Sequence, residues 1–416
     1  MDINISRIIK MLLIVVSGIF VGFLLLINVY ALPTEKMRDH VRESREDLLE
    51  EGDRLKWGGY LTYSDGFTDS IMISKAIYNG RGSLFEKSMM NYGVQTEGYS
   101  SMTEQVIAAL DGADGTYVKD YPTYWHGYLA VLKPLLIFFN IGEIRMLNMI
   151  LQMTLLIICA VLVRENLGRK SMAVFIPGII FLNPITAAIS FQFSTIYYIT
   201  LIMLIIMMRY GRKLSEKKTY TYLFLVCGMA CSFFDFLTIP IVALGIPLVF
   251  YILLEGVKGL ADGIKEVVSK SLSWALGYIG MWSGKWILAS ILTHNNIIKR
   301  ALEQIRFRSG TEYYKNEGEV FGRLDAIKEN LTVLGNNPLV LCFLGTAVLC
   351  LAVILLRHKK KKADYKEIAV LLLIALYPFV WYIAALNHSA LHSFITWRDL
   401  SVTVTAVMAA LINFFK

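Results

Sequence analysis

Apolar stretches of about 17 to 25 residues recur along the chain between short hydrophilic breaks, and that length lets an α-helix cross a bilayer core. The first, Met11 to Ala31, follows Arg7 and Lys10 and exceeds a signal-peptide core of roughly 7 to 15 residues, so it reads as an uncleaved anchor. Further runs cover roughly 144 to 163, 172 to 190, 193 to 208, 220 to 236, 238 to 254, 271 to 292, 338 to 356, 367 to 386 and 397 to 415. The pattern predicts an all-α polytopic membrane protein of about ten transmembrane helices. One more run, Gly127 to Ile141, gives only roughly 22 Å of helix and is interrupted by Lys133 and Pro134. It reads as an amphipathic helix in the outer interface, a tilted eleventh span being the alternative.

Between anchor and bundle lies a hydrophilic segment, about Leu32 to Trp125. Within it "TDSIMISKAIY" spaces Ile71, Ile73, Ala76 and Ile77 as a loose helical face, with Thr68 or Asp69 as N-cap. This first outer loop is expected to hold two short helices joined by a segment carrying Gly80, Gly82, Gly93 and Gly98. The whole is one membrane-embedded domain: anchor 11–31, first outer loop 32–142, bundle 143–292, second outer loop 293–337 and C-terminal helices 338–416.

Charge orients this layout. The formal net charge of +8 sits largely in the breaks "RENLGRK", "RYGRKLSEKK" and "RHKKKKADYK", which mark the cytoplasmic side by the positive-inside rule rather than a nucleic-acid surface. The N-terminus then faces the cytoplasm, and the acid-rich loop after the anchor faces out. All five cysteines fall inside apolar runs, where packing rather than disulfide or zinc chemistry is expected.

Candidate chemistry gathers at the outer ends. In "YLTYSDGFTDS", Asp65 precedes Gly66 in a turn and is expected to act as general base, with Asp69 a neighbouring catalytic candidate that also caps the helix. "DYPTYWHGY" offers Tyr124 and Trp125 for an aromatic belt or for stacking on an acceptor sugar, and His126 for a phosphate or acceptor contact. Asp235, set among phenylalanines in "CSFFDFLTIP", needs a partner or a task. Arg145 starts a span at its outer end, while His388, His392 and Arg398 share the last outer turn. The two histidines at i, i+4 could begin a zinc site but lack further ligands, so a phosphate-facing cluster is expected. In the second outer loop Arg306 or Arg308 supplies a planar fork for phosphate oxygens. No glycine loop of the nucleotide-binding kind is present.

This order of parts (anchor, acidic first outer loop, interfacial helix, many spans, later basic outer loop) resembles the GT-C superfamily of integral membrane glycosyltransferases. The resemblance implies an enzyme of the bacterial cytoplasmic membrane. It would move a sugar, with inversion, from a polyprenyl-phosphate carrier to a glycan or lipid acceptor on the outer face. Asp65 matches the family's base position. Relatives open the interfacial helix with His-Pro-Pro-Leu; here "WHGYLAVLKPLL" keeps His126 but displaces the proline to Pro134. The stretches "YWHGYLAVLKPLL", "FFDFLTIP" and "NHSALHSFITWRDL" are also similar to an uncharacterised bacterial group associated with envelope polysaccharides. No cofactor is implied, a divalent metal being the alternative. Two other functions compete: an O-antigen-type polymerase or ligase, and a non-enzymatic lipid or glycan transporter, for which Pro177, Pro184, Pro240 and Pro247 would mark broken helices.

Overall fold

In a computed structural model, described for residues 5–55, 63–311, 314–316, 319–335 and 364–414, the first apolar run becomes α1, Ile5–Tyr30. Leu12, Leu13, Val16, Phe20 and Leu24 stay exposed along it while Leu26, Val29 and Tyr30 are buried, the division expected of a helix with lipid on one side and protein on the other. Among the described residues, five helical stretches are long and apolar enough to cross a membrane: Ile5–Tyr30, Ile141–Leu167, Phe191–Glu216, Tyr365–Ala384 and Ser393–Asn413. Shorter apolar helices cover Tyr220–Phe234 and Pro240–Glu255. The protein is therefore a helical, membrane-associated chain. The expected span 338–356, with Cys342 and Cys350, lies outside the described residues; Cys159, Cys227 and Cys231 are buried free thiols.

The hydrophilic segment after α1 is more structured than expected. Instead of two helices it holds α2 (Glu35–Glu43), α3 (Arg45–Glu51), α4 (Gly66–Ala76), α5 (Leu84–Met90) and α6 (Met102–Asp111). It also carries an antiparallel pair, β1 (Gly93–Thr96) with β2 (Thr116–Lys119), in the register Gly93↔Lys119 to Thr96↔Thr116. The strands were hidden because only four residues form each, too few for alternation to be read. The run at Gly127–Ile141 yields α7, only Leu129–Leu136, about 12 Å long, so the tilted eleventh span does not form there. Lys133, which interrupts the apolar run, is buried against the preceding segment, and its Nζ donates to Ala76 O at 2.8 Å.

From α7 the chain enters α8 (Ile141–Leu167), whose N-cap Asn140 and Glu143 form a capping box. The run expected as one span over 172–190 is broken into α9 (Met172–Phe181) and α10 (Pro184–Ile189). Asn183 turns left-handed at φ 52° between them and its side chain accepts Thr186 N–H, a junction set by the proline that follows. Next come α11 (Phe191–Glu216), α12 (Tyr220–Phe234), α13 (Pro240–Glu255) and the 34-residue α14 (Leu260–Thr293). α12 and α14 approach closely because both carry glycine at the crossing: a Cβ on Gly228 would lie 2.0 Å from Trp274 O, and one on Gly277 2.1 Å from Leu225 O. The amphipathic α15 (Ile297–Ser309) and α16 (Asp325–Gly335) follow, with the short pair β3 (Tyr314–Asn316) and β4 (Glu319–Val320) between them. The described chain ends with α17 (Tyr365–Ala375), α18 (Tyr377–Ala384), α19 (Leu386–Leu391), α20 (Ser393–Thr396) and α21 (Leu400–Phe414).

Buried lysines tie the loop region to the bundle. Lys285 of α14 donates to Ser88 O and Met89 O at 3.0 and 2.9 Å, and Lys75 of α4 donates to Asn91 O at 2.9 Å. Each amino group meets carbonyl oxygens in place of water, which satisfies its N–H donors on burial.

Candidate functional site

The site is organised by where α4 meets α11. Asp65, not Thr68 or Asp69, is the N-cap of α4: its Oδ1 accepts Thr68 N–H at 3.1 Å. Its own N–H donates to Ser190 Oγ at 3.3 Å, docking the turn on the start of α11. The other oxygen, Oδ2, is buried and has no hydrogen-bond partner among the described residues. Burial raises the Asp65 pKa, opposed by the Thr68 hydrogen bonds and by the Arg54 and Arg398 guanidiniums.

Asp69 sits one turn on and has a different employment. Its Oδ2 accepts Phe191 N–H at 3.0 Å and its Oδ1 accepts Gln192 N–H at 2.9 Å, so it caps α11 rather than its own helix. Both oxygens are engaged, and the residue is an anchor in this geometry. The link continues through the Gln192 side chain, which donates to Thr238 Oγ1 at 2.6 Å; Thr238 in turn gives its N–H and hydroxyl to Asp235. Asp235 thereby closes the turn between α12 and α13, in which Leu237 takes φ 64°. The partner expected for this buried acid is thus a local turn.

Three further expected contacts are placed elsewhere. Arg145 forms an ion pair with Glu51 at 2.7 Å. His126, at φ 58°, has both ring nitrogens engaged, Nδ1 with Tyr128 Oη at 3.0 Å and Nε2 with Tyr121 O at 2.9 Å. It is packed among Tyr121, Tyr124, Tyr128 and Phe236. Trp125 is 0% exposed and its Nε1 donates to Met281 O at 2.7 Å, so its ring is core and not a stacking platform. Tyr124 alone of that stretch's aromatic pair lines a cavity.

That cavity, about 150 Å³, is walled by Tyr124, Trp282, Trp286, Trp381, Leu237 and Ile305, with the Arg308 side chain as its charged group. Arg306 is exposed, whereas Arg308 turns inward and lines the cavity. Arg308 Nη1 lies 3.2 Å from His388 Nδ1 and 2.9 Å from His392 Nε2. A guanidinium only donates, so these two nitrogens accept and both imidazoles are neutral. Burial, then the neighbouring guanidiniums Arg308 and Arg54, lower the His392 pKa to about 4. Burial, then His392 and Arg308, lower that of His388 well below its ordinary value. The two rings stand 4.9 Å apart with the guanidinium reaching both.

Phe394 joins this pair to Asp65. His392 packs on its ring at 5.9 Å and Arg54 lies over it at 4.5 Å, while its carbonyl accepts Arg398 Nη1 at 3.2 Å. Arg398 is 1% exposed and stacks on Phe193 and Trp397 at 4.2 and 4.8 Å. Its Nε and Nη2 have no acceptor among the described residues. Arg54, Arg398 and the His392 ring of the Arg308–His388–His392 unit therefore gather around Phe394, and the Arg54 and Arg398 charges act on Asp65. Arg54 was missed from sequence; it lies in a polar stretch with nothing in its spacing to separate it from Arg42 or Arg45. Asp399, also missed although it follows Arg398 in "WRDL", is fully buried with neither oxygen bonded among the described residues.

Compared with known proteins, the chain matches no family model, no curated protein and no solved structure.

Proposed function

We propose that the protein is a membrane glycosyltransferase that moves a sugar from a polyprenyl-phosphate carrier to a glycan or lipid acceptor. The observation that carries this reading is the buried Asp65 oxygen left without a partner while the Arg54 and Arg398 guanidiniums act on the same carboxyl. A half-shielded acid acted on by Arg54 and by Arg398, whose Nε and Nη2 have no acceptor among the described residues, suits a displacement at an anomeric carbon. The acceptor hydroxyl gives its proton to Asp65 Oδ2 as its oxygen bonds to that carbon. The carbon–oxygen bond to phosphate breaks, and the electron pair leaves with the phosphate, where arginine donors offset the growing charge. Attack opposite the leaving group inverts the centre.

The aromatic cavity supports a lipid-borne donor. Its wall of Tyr124, Trp282, Trp286 and Trp381 fits an isoprenoid chain, and Arg308 gives it one polar end for a phosphate. On this reading the acidic loop and the site lie on the outer face of a bacterial cytoplasmic membrane, with the basic breaks inside. The polymerase, ligase and transporter readings have no comparable use for a buried acid capping α4, within the segment that follows the anchor.

The test is Asp65→Asn in reconstituted full-length protein, assayed for sugar transfer from polyprenyl-phosphate sugars. The asparagine oxygen can still accept Thr68 N–H, so the cap is kept while the base is lost. Transfer should fall by about 10²- to 10⁴-fold with the unfolding temperature unchanged; transfer at the wild-type rate would remove Asp65 from the chemistry.

A further inference from the structure

A second cavity lies at the far end of the helices that carry the Asp65 site. Its volume is about 560 Å³, within the range of small-molecule sites, and it is bounded by the end of α11, the start of α12, the end of α13, the start of α14 and the first turn of α1. Ser215 in its wall and Phe191, whose N–H Asp69 accepts, stand near the two ends of α11, about 36 Å of helix apart. The basic breaks mark this end of the bundle as cytoplasmic.

The lining carries both signs of charge, and its groups are unequally engaged. Glu255 accepts the Ser215 hydroxyl at 2.6 Å, while Glu266 accepts the Tyr251 hydroxyl at 2.8 Å and pairs with Lys270. Arg7 donates to Thr221 Oγ1, which fastens α1 to α12 at the cavity. Lys218, Lys258 and Asp262 also line it, and their side chains have no ion pair or hydrogen bond among the described residues. Lys218 takes left-handed backbone, φ 54°, just past the end of α11, where glycine or asparagine is the ordinary choice. Tyr220, 3% exposed, adds a hydroxyl on the Glu255 side that completes no hydrogen bond among the described residues.

Two open ammonium groups and one open carboxylate around a single space define a complementary ligand: a phosphate for the lysines and an ammonium for Asp262. A purely anionic ligand would set its charge against Glu255 and Asp262, and a purely cationic one against Lys218 and Lys258.

We infer that this cavity binds the headgroup of a zwitterionic membrane lipid, a phosphodiester bearing a primary ammonium, with the phosphate on Lys218 and Lys258 and the ammonium on Asp262. A lipid is the source because α1 and α11, both long enough to cross a bilayer, reach headgroup level at the cavity. Once bound, it bridges the anchor, through Arg7, to the ends of α11, α12, α13 and α14. The site is independent of the sugar-transfer chemistry.

The experiment titrates delipidated full-length protein in detergent with phosphatidylethanolamine, phosphatidylglycerol or free phosphoethanolamine, read by native mass spectrometry and by unfolding temperature. Wild type should hold phosphatidylethanolamine about tenfold more tightly than phosphatidylglycerol, the size of one charged hydrogen bond, and should gain no stability from millimolar phosphoethanolamine. Asp262→Asn should bring the two lipids within about threefold of each other. Lys218→Gly, which suits the left-handed backbone and so keeps the fold, should weaken both lipids by about tenfold with no fall in the unfolding temperature of the delipidated protein. Equal affinity of wild type for the two lipids, or affinities unchanged in both variants, overturns the site. Stabilisation by phosphoethanolamine equal to that by the lipid overturns the lipid assignment in favour of a soluble ligand.

Discussion

Asp69 and Gln192, 123 residues apart, are joined at 2.9 Å through a carboxylate oxygen and a backbone N–H, and Phe191 N–H fills the other oxygen. This bond holds the helix that presents Asp65 onto the start of α11, and it separates two acids that look alike in sequence.

Their substitutions should therefore diverge. Asp69→Asn replaces one accepting oxygen by an amide NH₂ that faces a backbone N–H, and should cost about 1 to 3 kcal/mol of stability, read as a lower unfolding temperature in detergent. Its turnover per folded molecule should stay within a few-fold of wild type, whereas Asp65→Asn shows the reverse pattern. Loss of turnover in a fully stable Asp69→Asn would assign that acid to the chemistry after all.

Arg308 and Arg306 give a second contrast. Arg308→Ala removes the guanidinium that reaches both His388 and His392 and should lower kcat by about 10²- to 10³-fold. Arg306→Ala should change kcat less than threefold, because that residue is exposed. Lysine at 308 should not rescue, since a single ammonium lacks the planar fork. Equal losses at the two positions would contradict the orientation of α15.

The Arg308–histidine unit sets a pH dependence. The folded His392 pKa, about 4, lies below the unfolded value of 6.5, so the unfolded chain binds more protons between them and stability rises with pH across that window. The contribution is complete above about 6.5 and is lost as pH falls toward 4. Protonation also sets imidazolium against guanidinium, so activity should decline on the same acid limb. His392→Gln should flatten both profiles between pH 4 and 6.5; an unchanged profile would place the titration elsewhere.

Packing between α12 and α14 offers a check that involves no chemistry. A side chain on Gly228 or Gly277 meets backbone carbonyl oxygen at 2.0 or 2.1 Å, which rotamer changes cannot relieve. Gly228→Val and Gly277→Val should each destabilise by more than about 2 kcal/mol or abolish folded yield in detergent, monitored by size-exclusion recovery. Wild-type recovery from both would show that the helices do not cross there.

Sequence by itself determined the class: long apolar runs impose helices, because backbone groups in a lipid core must bond within their own segment. It also brought out Asp65, Arg398 and the 388/392 pair, since charged residues at the ends of such runs are few. Local rules could not place the break at Asn183, where one asparagine before a proline interrupts a run that hydropathy averages as continuous. Nor could they show the β1–β2 pair, whose register is made by residues 20 or more positions apart. Only the tertiary structure distinguished Asp65 from Asp69 and Arg308 from Arg306, and withdrew Trp125, His126 and Arg145 into packing, hydrogen bonds and an ion pair. Each of those outcomes depends on which distant backbone or side chain supplies the partner, and residue type fixes what a group can bond to but not what the fold brings within about 3 Å of it.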